Sequence, residues 1–204
     1  MTETISEGLI EAIPEPATVT QQTVIVDADV DETFDAIRRT DLSTSGTVKV
    51  LVCLRSAPLR LLNLLRRRPQ ESVVDDATIS DLIEAGIWIV LSDHPPHELT
   101  LGLVMWDREM QAEGLSHHGF ADPGSGSVKV GWSFRVQPLQ DHRSLLITET
   151  RAAPVDRAAA RRFRLYWRLI SPFASLTRRH VLSMIAAEAG RTRAEHDQAF
   201  RLAT

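Results

Sequence analysis

An apolar stripe at helical spacing runs through the C-terminal part of the chain and constrains the fold more than any other feature. It predicts one long amphipathic helix, which begins near Val155 and carries Asp156 in its first turn. Pro172 falls inside the stripe, and because the pattern resumes in phase, we predict a kink around residues 170–171 rather than a stop. A long helix with one wide apolar face requires a broad apolar surface to pack against. The stripe consists of Phe163, Trp167, Ile170, Ala174, Thr177, Val181 and Ile185.

Alternating apolar and polar residues predict that this surface is a β-sheet. The predicted strands are 19–26, 87–91, 99–106, 128–137 and 145–152. One face of the fourth strand is apolar and comprises Val128, Val130, Trp132, Phe134 and Val136. Turn residues at 92–97 and 138–143 join neighbouring strands as hairpins, so the sheet is largely antiparallel. The sequence therefore predicts an α+β fold.

Local signals predict further helices and one irregular region. Asp29 and Glu32 have the spacing of a capping box for a helix that ends near Thr40. A second short helix covers 78–85, between Thr78 as its cap and Gly86 as its end.

Two longer segments are less regular. Residues 48–68 have helical spacing that Pro58 interrupts, and Cys53 lies in this predicted helix as a small apolar side chain. Residues 107–126 predict a loop, with an irregular strand near Phe120.

The charge is distributed unevenly. Residues 1–150 carry 12 basic and 23 acidic residues, a net charge of −11, and residues 151–204 carry 11 basic and 4 acidic residues, a net charge of +7. An arginine-rich solvated helix face explains this split, and so does a surface for an anionic partner. The chain has one cysteine, lacks an apolar run of the roughly 20 residues that a membrane span requires, and shows no secretory signal. We therefore expect a cytoplasmic protein.

The composition also predicts how the chain is divided. Residues 1–16 are rich in acids and poor in apolar residues, which predicts a flexible acidic tail, with a frayed helix as the alternative. Residues 17–190 form the single predicted domain, and 191–204 form a polar C-terminal tail.

Five segments carry a resemblance to a known family. They are VIVDADVDETFDAI at 24–37, the hairpin strands at 87–105, GWSFRVQPL with LLITETR between 131 and 151, FRLYWRLISPF at 163–173 and RRHVLSMIAAEA at 178–189. In these segments the chain resembles the START-like, helix-grip superfamily (the SRPBCC, polyketide cyclase/dehydrase-like group), in particular an uncharacterised bacterial branch. The resemblance implies a curved antiparallel sheet wrapped around a long C-terminal helix. It also implies a cavity between them for an apolar small molecule. We expect neither a cofactor nor a metal. The helical region 48–85 is longer than the family pattern, and would cap the pocket or partly fill it.

The register of the last hairpin decides which side chains face that cavity. If Pro138 pairs with Arg143, Trp132 lies opposite Glu149, and Arg151 shares their face. A one-residue slip would instead direct Thr148 and Thr150 inward. The predicted ligand-binding residues are Trp106, Trp132, Phe134, Glu149, Arg151, Phe163 and Trp167.

Three functions are compatible with these residues. The first is binding or carriage of a hydrophobic or amphipathic small molecule such as a lipid or polyketide. The second is a cofactor-independent cyclase or dehydrase in which Glu149 is the general base and Arg151 stabilises an anion, although the pair could equally be a buried ion pair. The third is an interaction module whose arginine-rich helix meets a membrane surface or an acidic partner. The histidines lack the spacing of a metal site, we expect no nucleic acid partner, and the oligomeric state is open.

Overall fold

A computed structural model describes residues 6–41, 78–84, 86–106 and 115–202, with side chains through residue 194. Its helices are α1 (Glu7–Ala12), α2 (Val30–Arg39), α3 (Ile79–Glu84), α4 (His117–Ala121) and α5 (Arg157–Leu202). Its strands are β1 (Thr18–Val26), β2 (Ile89–His94), β3 (Glu98–Met105), β4 (Val128–Pro138) and β5 (Ser144–Pro154). The predictions for residues 48–68 and Cys53 lie outside the described residues.

The five strands form one antiparallel sheet in the order β1-β5-β4-β3-β2. The strand predictions are confirmed, with ends that differ by up to three residues. We call the sheet face that packs against α5 the inner face, and its buried apolar residues include Val26, Leu99, Leu101, Phe134, Val136 and Leu146. The α+β class and the helix-grip arrangement, a curved antiparallel sheet against a long C-terminal helix, are therefore confirmed.

The long helix α5 follows the predicted stripe. Phe163, Ile170, Ala174, Val181 and Ile185 on its inner side are buried. The helix begins at Arg157 and passes through Pro172 without ending. It continues to Leu202, through most of the segment 191–204 that the sequence predicts to be a polar tail.

The N-terminal segment differs from the predicted flexible tail. Residues 7–12 form α1, and the Ser6 hydroxyl caps this helix by accepting a hydrogen bond from the Leu9 N–H at 3.2 Å. Leu9 is 0% exposed and Ile13 is 1% exposed, because they pack on the outer face of the sheet, the face opposite α5. Gly131 of β4 provides the space, since a Cβ there would collide with Leu9 Cδ1 and lie 3.2 Å from Ile13 Cδ1. Burial of these two side chains holds the segment in place.

The predicted helix caps are confirmed, and one predicted strand is wrong. Asp29 and Glu32 form the capping box of α2, and the helix ends at Arg39. Thr78 caps α3, since its hydroxyl accepts a hydrogen bond from the Asp81 N–H at 3.1 Å. The region of Phe120 is the short helix α4 rather than an irregular strand, and Ser116 caps it. None of the helices in the described ranges is both long enough and apolar enough to cross a membrane.

Candidate ligand-binding site

The β4–β5 hairpin has a different register from the predicted one. Pro138 pairs with Ser144, so the connecting loop has one residue more than expected, and the Leu139 N–H donates to the Arg143 carbonyl at 2.8 Å. Asp141 and His142 in this loop adopt left-handed backbone conformations, with φ of 62° and 51°. Two consecutive left-handed residues make the longer turn possible, and Asp tolerates this conformation better than most residues.

A shift of one residue moves every side chain of β5 to the other face. Trp132 lies opposite Thr150, and Phe134 lies opposite Thr148. Glu149 and Arg151 consequently lie on the outer face, so the prediction that they share the face of Trp132 is wrong. The proposed roles of general base and anion stabiliser in a common cavity lose their geometric basis.

Aromatic side chains cover two regions of the inner face. In the first region, the ring centroid of Trp132 lies 4.5 Å from that of Phe134 and 5.7 Å from that of Trp88. Trp88 and Trp132 retain part of their exposed surface, whereas Phe134 is fully buried. Trp88 also packs against the second region and so joins the two.

The second region lies at the N-terminal end of α5. Phe163 stacks on Trp167 at 5.7 Å, with 20° between the ring planes. The Trp106 ring lies 6.5 Å from Phe163 and 5.7 Å from Tyr166. The structure therefore places five of the predicted ligand-binding residues on the inner side, divided between the two regions.

A polar strip lies beside the aromatic residues on the same face, and the predicted site did not include it. On β5, the Thr148 hydroxyl accepts from Trp132 Nε1 at 2.6 Å and donates to the Ser133 carbonyl at 2.9 Å. On β1, Thr20 pairs with Thr150, and Gln22 pairs with Thr148. The alternative hairpin register predicts Thr148 and Thr150 on the inner face. The alternation of β1 would then have placed Thr20 and Gln22 beside them.

Two atoms of this strip have no hydrogen-bond partner within the described residues. Thr20 Oγ1 and Gln22 Oε1 are buried and find no hydrogen-bond partner among the residues that the structure describes. Gln22 Nε2 donates to Ser175 Oγ at 2.9 Å and to the Ser175 carbonyl at 3.2 Å. Because a carbonyl only accepts, these contacts fix the amide orientation and leave Oε1 as an acceptor.

The outer face carries a buried network of charged groups. Arg151 Nε lies 2.6 Å from Glu149 Oε1, and Arg151 Nη1 donates to the Ile13 carbonyl at 3.3 Å. Nearby, Glu98 Oε1 accepts from Ser6 Oγ at 2.5 Å and from Thr100 Oγ1 at 3.0 Å. These contacts attach the N-terminal segment to the sheet.

A cleft of about 450 Å³ opens at the edge of this network, and its lining includes Arg135, Glu98, His94 and His97. Arg135 is 6% exposed, and its Nη1 has no hydrogen-bond partner within the described part of the chain. Burial lowers the pKa of the Arg135 guanidinium, and the Glu98 and Glu149 carboxylates oppose this shift. The Glu98 and Glu149 carboxylates thus offset part of the cost of burying the Arg135 charge. In the described ranges, no three His, Cys, Asp or Glu side chains are grouped so that they could hold a metal ion.

Comparisons with known proteins add no evidence on function. No protein-family model matches the chain, and a search of curated proteins finds no match. A conserved protein from Geobacillus kaustophilus is similar in structure with a TM-score of 0.44 and 14% identity, over 86% of this chain and 97% of that one. The hypothetical protein jhp0584 from Helicobacter pylori has a TM-score of 0.39 and 15% identity, over 88% of this chain and 92% of that one. CalU16 from Micromonospora echinospora has a TM-score of 0.27 and 16% identity, over 87% of this chain and 85% of that one.

Proposed function

We propose that the protein binds a neutral amphipathic small molecule, such as a lipid or polyketide, between the inner face of the sheet and α5. The apolar part of the ligand contacts Trp132, Phe134 and Trp88, with Phe163 and Trp167 extending this surface along α5. The polar group of the ligand reaches the strip on β1. The observation that carries this proposal is the pair of buried oxygens Thr20 Oγ1 and Gln22 Oε1, which lie beside the aromatic residues of the inner face and find no hydrogen-bond partner among the described residues.

The unpartnered oxygens also specify the chemistry of the ligand. A buried polar atom without a hydrogen bond costs about 1–3 kcal/mol, so a ligand that supplies the missing partner recovers that free energy. Gln22 Oε1 can only accept, and its amide orientation is fixed by Ser175. The ligand must therefore donate through a hydroxyl or an N–H group, which favours an alcohol, phenol or amide over a carboxylate.

Matched probes test this requirement. Decan-1-ol and its methyl ether have nearly the same apolar surface, but only the alcohol can donate a hydrogen bond. We expect a titration followed by tryptophan fluorescence to give about fivefold tighter binding of the alcohol, the ratio that one net hydrogen bond produces. Equal affinities for the two probes, or no binding of either, would contradict the proposal.

Strand β1 supplies matched variants. Thr20→Val and Gln22→Leu alter the inner face, whereas Thr23→Val and Gln21→Leu make the same changes at exposed positions of the same strand. We expect each inner variant to remove most of the preference for the alcohol, and the outer variants to retain it. Thr20→Val is the more informative of the two because it removes a hydroxyl that makes no hydrogen bond to any described residue, so the stability of the protein should not fall. Native mass spectrometry of freshly purified protein would identify a ligand that co-purifies.

A further inference from the structure

The outward side of α5 carries leucines that are at least half exposed. Leu165 is 76% exposed, Leu169 is 55% exposed and Leu176 is 50% exposed. With 3.6 residues per turn, these three side chains and Pro172 lie within about 60° of one another around the helix axis. The buried stripe occupies the opposite side of the helix. We call this outward surface the leucine face.

Arginines accompany the leucine face. Arg161, Arg168 and Arg179 are exposed and lie along one side of it. Between residues 157 and 187 the helix contains seven arginines and no acidic residue. Exposed apolar side chains next to a cationic strip are typical of helices that lie in the plane of a membrane interface.

We propose that the leucine face of α5 attaches the protein to the surface of an anionic lipid bilayer. Leu165, Leu169 and Leu176 enter the boundary between headgroups and acyl chains, while the arginines contact lipid phosphates. The net charge of −11 on residues 1–150 orients the remainder of the protein away from such a surface. A second copy packed antiparallel on the same face is a poor occupant, because this arrangement would bring the two arginine strips together. The surface is separate from the inner-face site and does not depend on the proposed ligand.

Vesicle co-sedimentation of the full chain tests the proposal. We expect binding to phosphatidylcholine vesicles that contain phosphatidylglycerol, at least tenfold weaker binding to phosphatidylcholine alone, and release as NaCl rises from about 0.1 M to about 1 M. Leu165→Ser with Leu169→Ser should weaken binding at least tenfold because apolar burial is lost. Arg161→Gln with Arg168→Gln should weaken it about 25-fold, or about fivefold for each arginine.

Two control variants carry equivalent changes elsewhere. Val19→Ser with Ile25→Ser removes side chains that are 50% and 56% exposed on β1, and Arg39→Gln with Arg143→Gln removes two cations that lie outside α5. Both controls should bind vesicles as the unaltered chain does. Equal binding to neutral vesicles, absence of binding, or insensitivity to either α5 pair would overturn the proposal. The proposal would also be overturned if the arginine substitutions removed vesicle binding and the leucine substitutions did not, because that result would indicate general attraction to polyanions. A dimer in light scattering that the leucine substitutions dissociate, without vesicle binding, would assign the face to a second copy instead.

Discussion

The Glu149 carboxylate and the Arg151 guanidinium form an ion pair with an Nε–Oε1 distance of 2.6 Å on the outer face of the sheet, beneath the N-terminal segment. Both side chains are nearly inaccessible, with exposed fractions of 4% and 10%. Arg151 also donates to the Ile13 carbonyl. The pair therefore joins a strand at the centre of the fold to the segment that covers it, and each charge depends on the other for compensation.

Glu149→Gln should destabilise the protein without changing ligand affinity. The substitution leaves a buried arginine without its counter-charge, which costs about 3 kcal/mol. Urea denaturation measures the change in the free energy of unfolding. The control is Asp141→Asn, which breaks the exposed pair of Asp141 with Arg143 and should cost less than about 0.5 kcal/mol. Weaker binding of decan-1-ol at unchanged stability would show that Glu149 contributes to the ligand site after all.

Gly131 and Leu9 should be energetically coupled. Gly131→Ala places a methyl group against Leu9 Cδ1 and should cost about 2 kcal/mol through overpacking. Leu9→Ala alone should cost about 3 kcal/mol because the side chain is fully buried. In the double variant the smaller side chain at position 9 makes room for the methyl group. Its loss of unfolding free energy should therefore be about 1 kcal/mol or more smaller than the sum of the losses in the two single variants.

A matched control uses the neighbouring residue of the same helix. Ile10 is 36% exposed, so Ile10→Ala should change the free energy of unfolding by less than about 0.5 kcal/mol. Its effect should add to that of Gly131→Ala. Strict additivity of the Leu9 and Gly131 substitutions in denaturant unfolding would mean that α1 does not pack on β4 as the structure places it.

The fold was predictable where the deciding signal is local. The Asp29 and Glu32 capping box, the alternation of β4 and the stripe of α5 each lie within one element, and all three are confirmed. The N-terminal helix was not predictable in the same way. Its position depends on the absence of a side chain at Gly131, which lies far from Leu9 in the sequence.

The site was predictable only in part because it depends on hairpin register. Periodicity fixes which residues of a strand share a face, so Trp132 and Phe134 were correctly grouped. It does not fix the alignment of two strands, which depends on loop length and here on two left-handed residues, Asp141 and His142. An error of one residue exchanged Glu149 for Thr148 on the inner face.

Thr148 and Trp132 should show a measurable interaction energy. The indole N–H donates to the Thr148 hydroxyl at 2.6 Å, so a double-mutant cycle with Thr148→Val and Trp132→Phe should give about 1 kcal/mol of coupling. The matched cycle pairs Thr148→Val with Trp106→Phe. The Trp106 ring packs in the second aromatic region, so this cycle should give almost no coupling energy. Coupling of equal size in both cycles would indicate a general loosening of the core instead of this hydrogen bond.

The N-terminus of α5 should make stability depend on pH through Asp156. Hydrogen bonds from the Ala159 N–H, the Ser125 hydroxyl and the Gly126 N–H lower the pKa of Asp156 from 3.8 to about 2. Because the folded-state pKa is the lower one, the stabilisation is fully present above pH 3.8 and is lost as the pH falls through about 2.

Asp156→Asn should remove this pH dependence. The difference in Tm between the unaltered chain and the variant should be constant above about pH 5 and should shrink between about pH 4 and pH 2. Ser125→Ala removes one of the three donors and should raise the Asp156 pKa, so that the same loss begins at a higher pH. Thermal unfolding followed by circular dichroism across this range measures both effects. If Tm varied with pH in the same way for the unaltered chain and for Asp156→Asn, the Asp156 carboxylate would not cap α5.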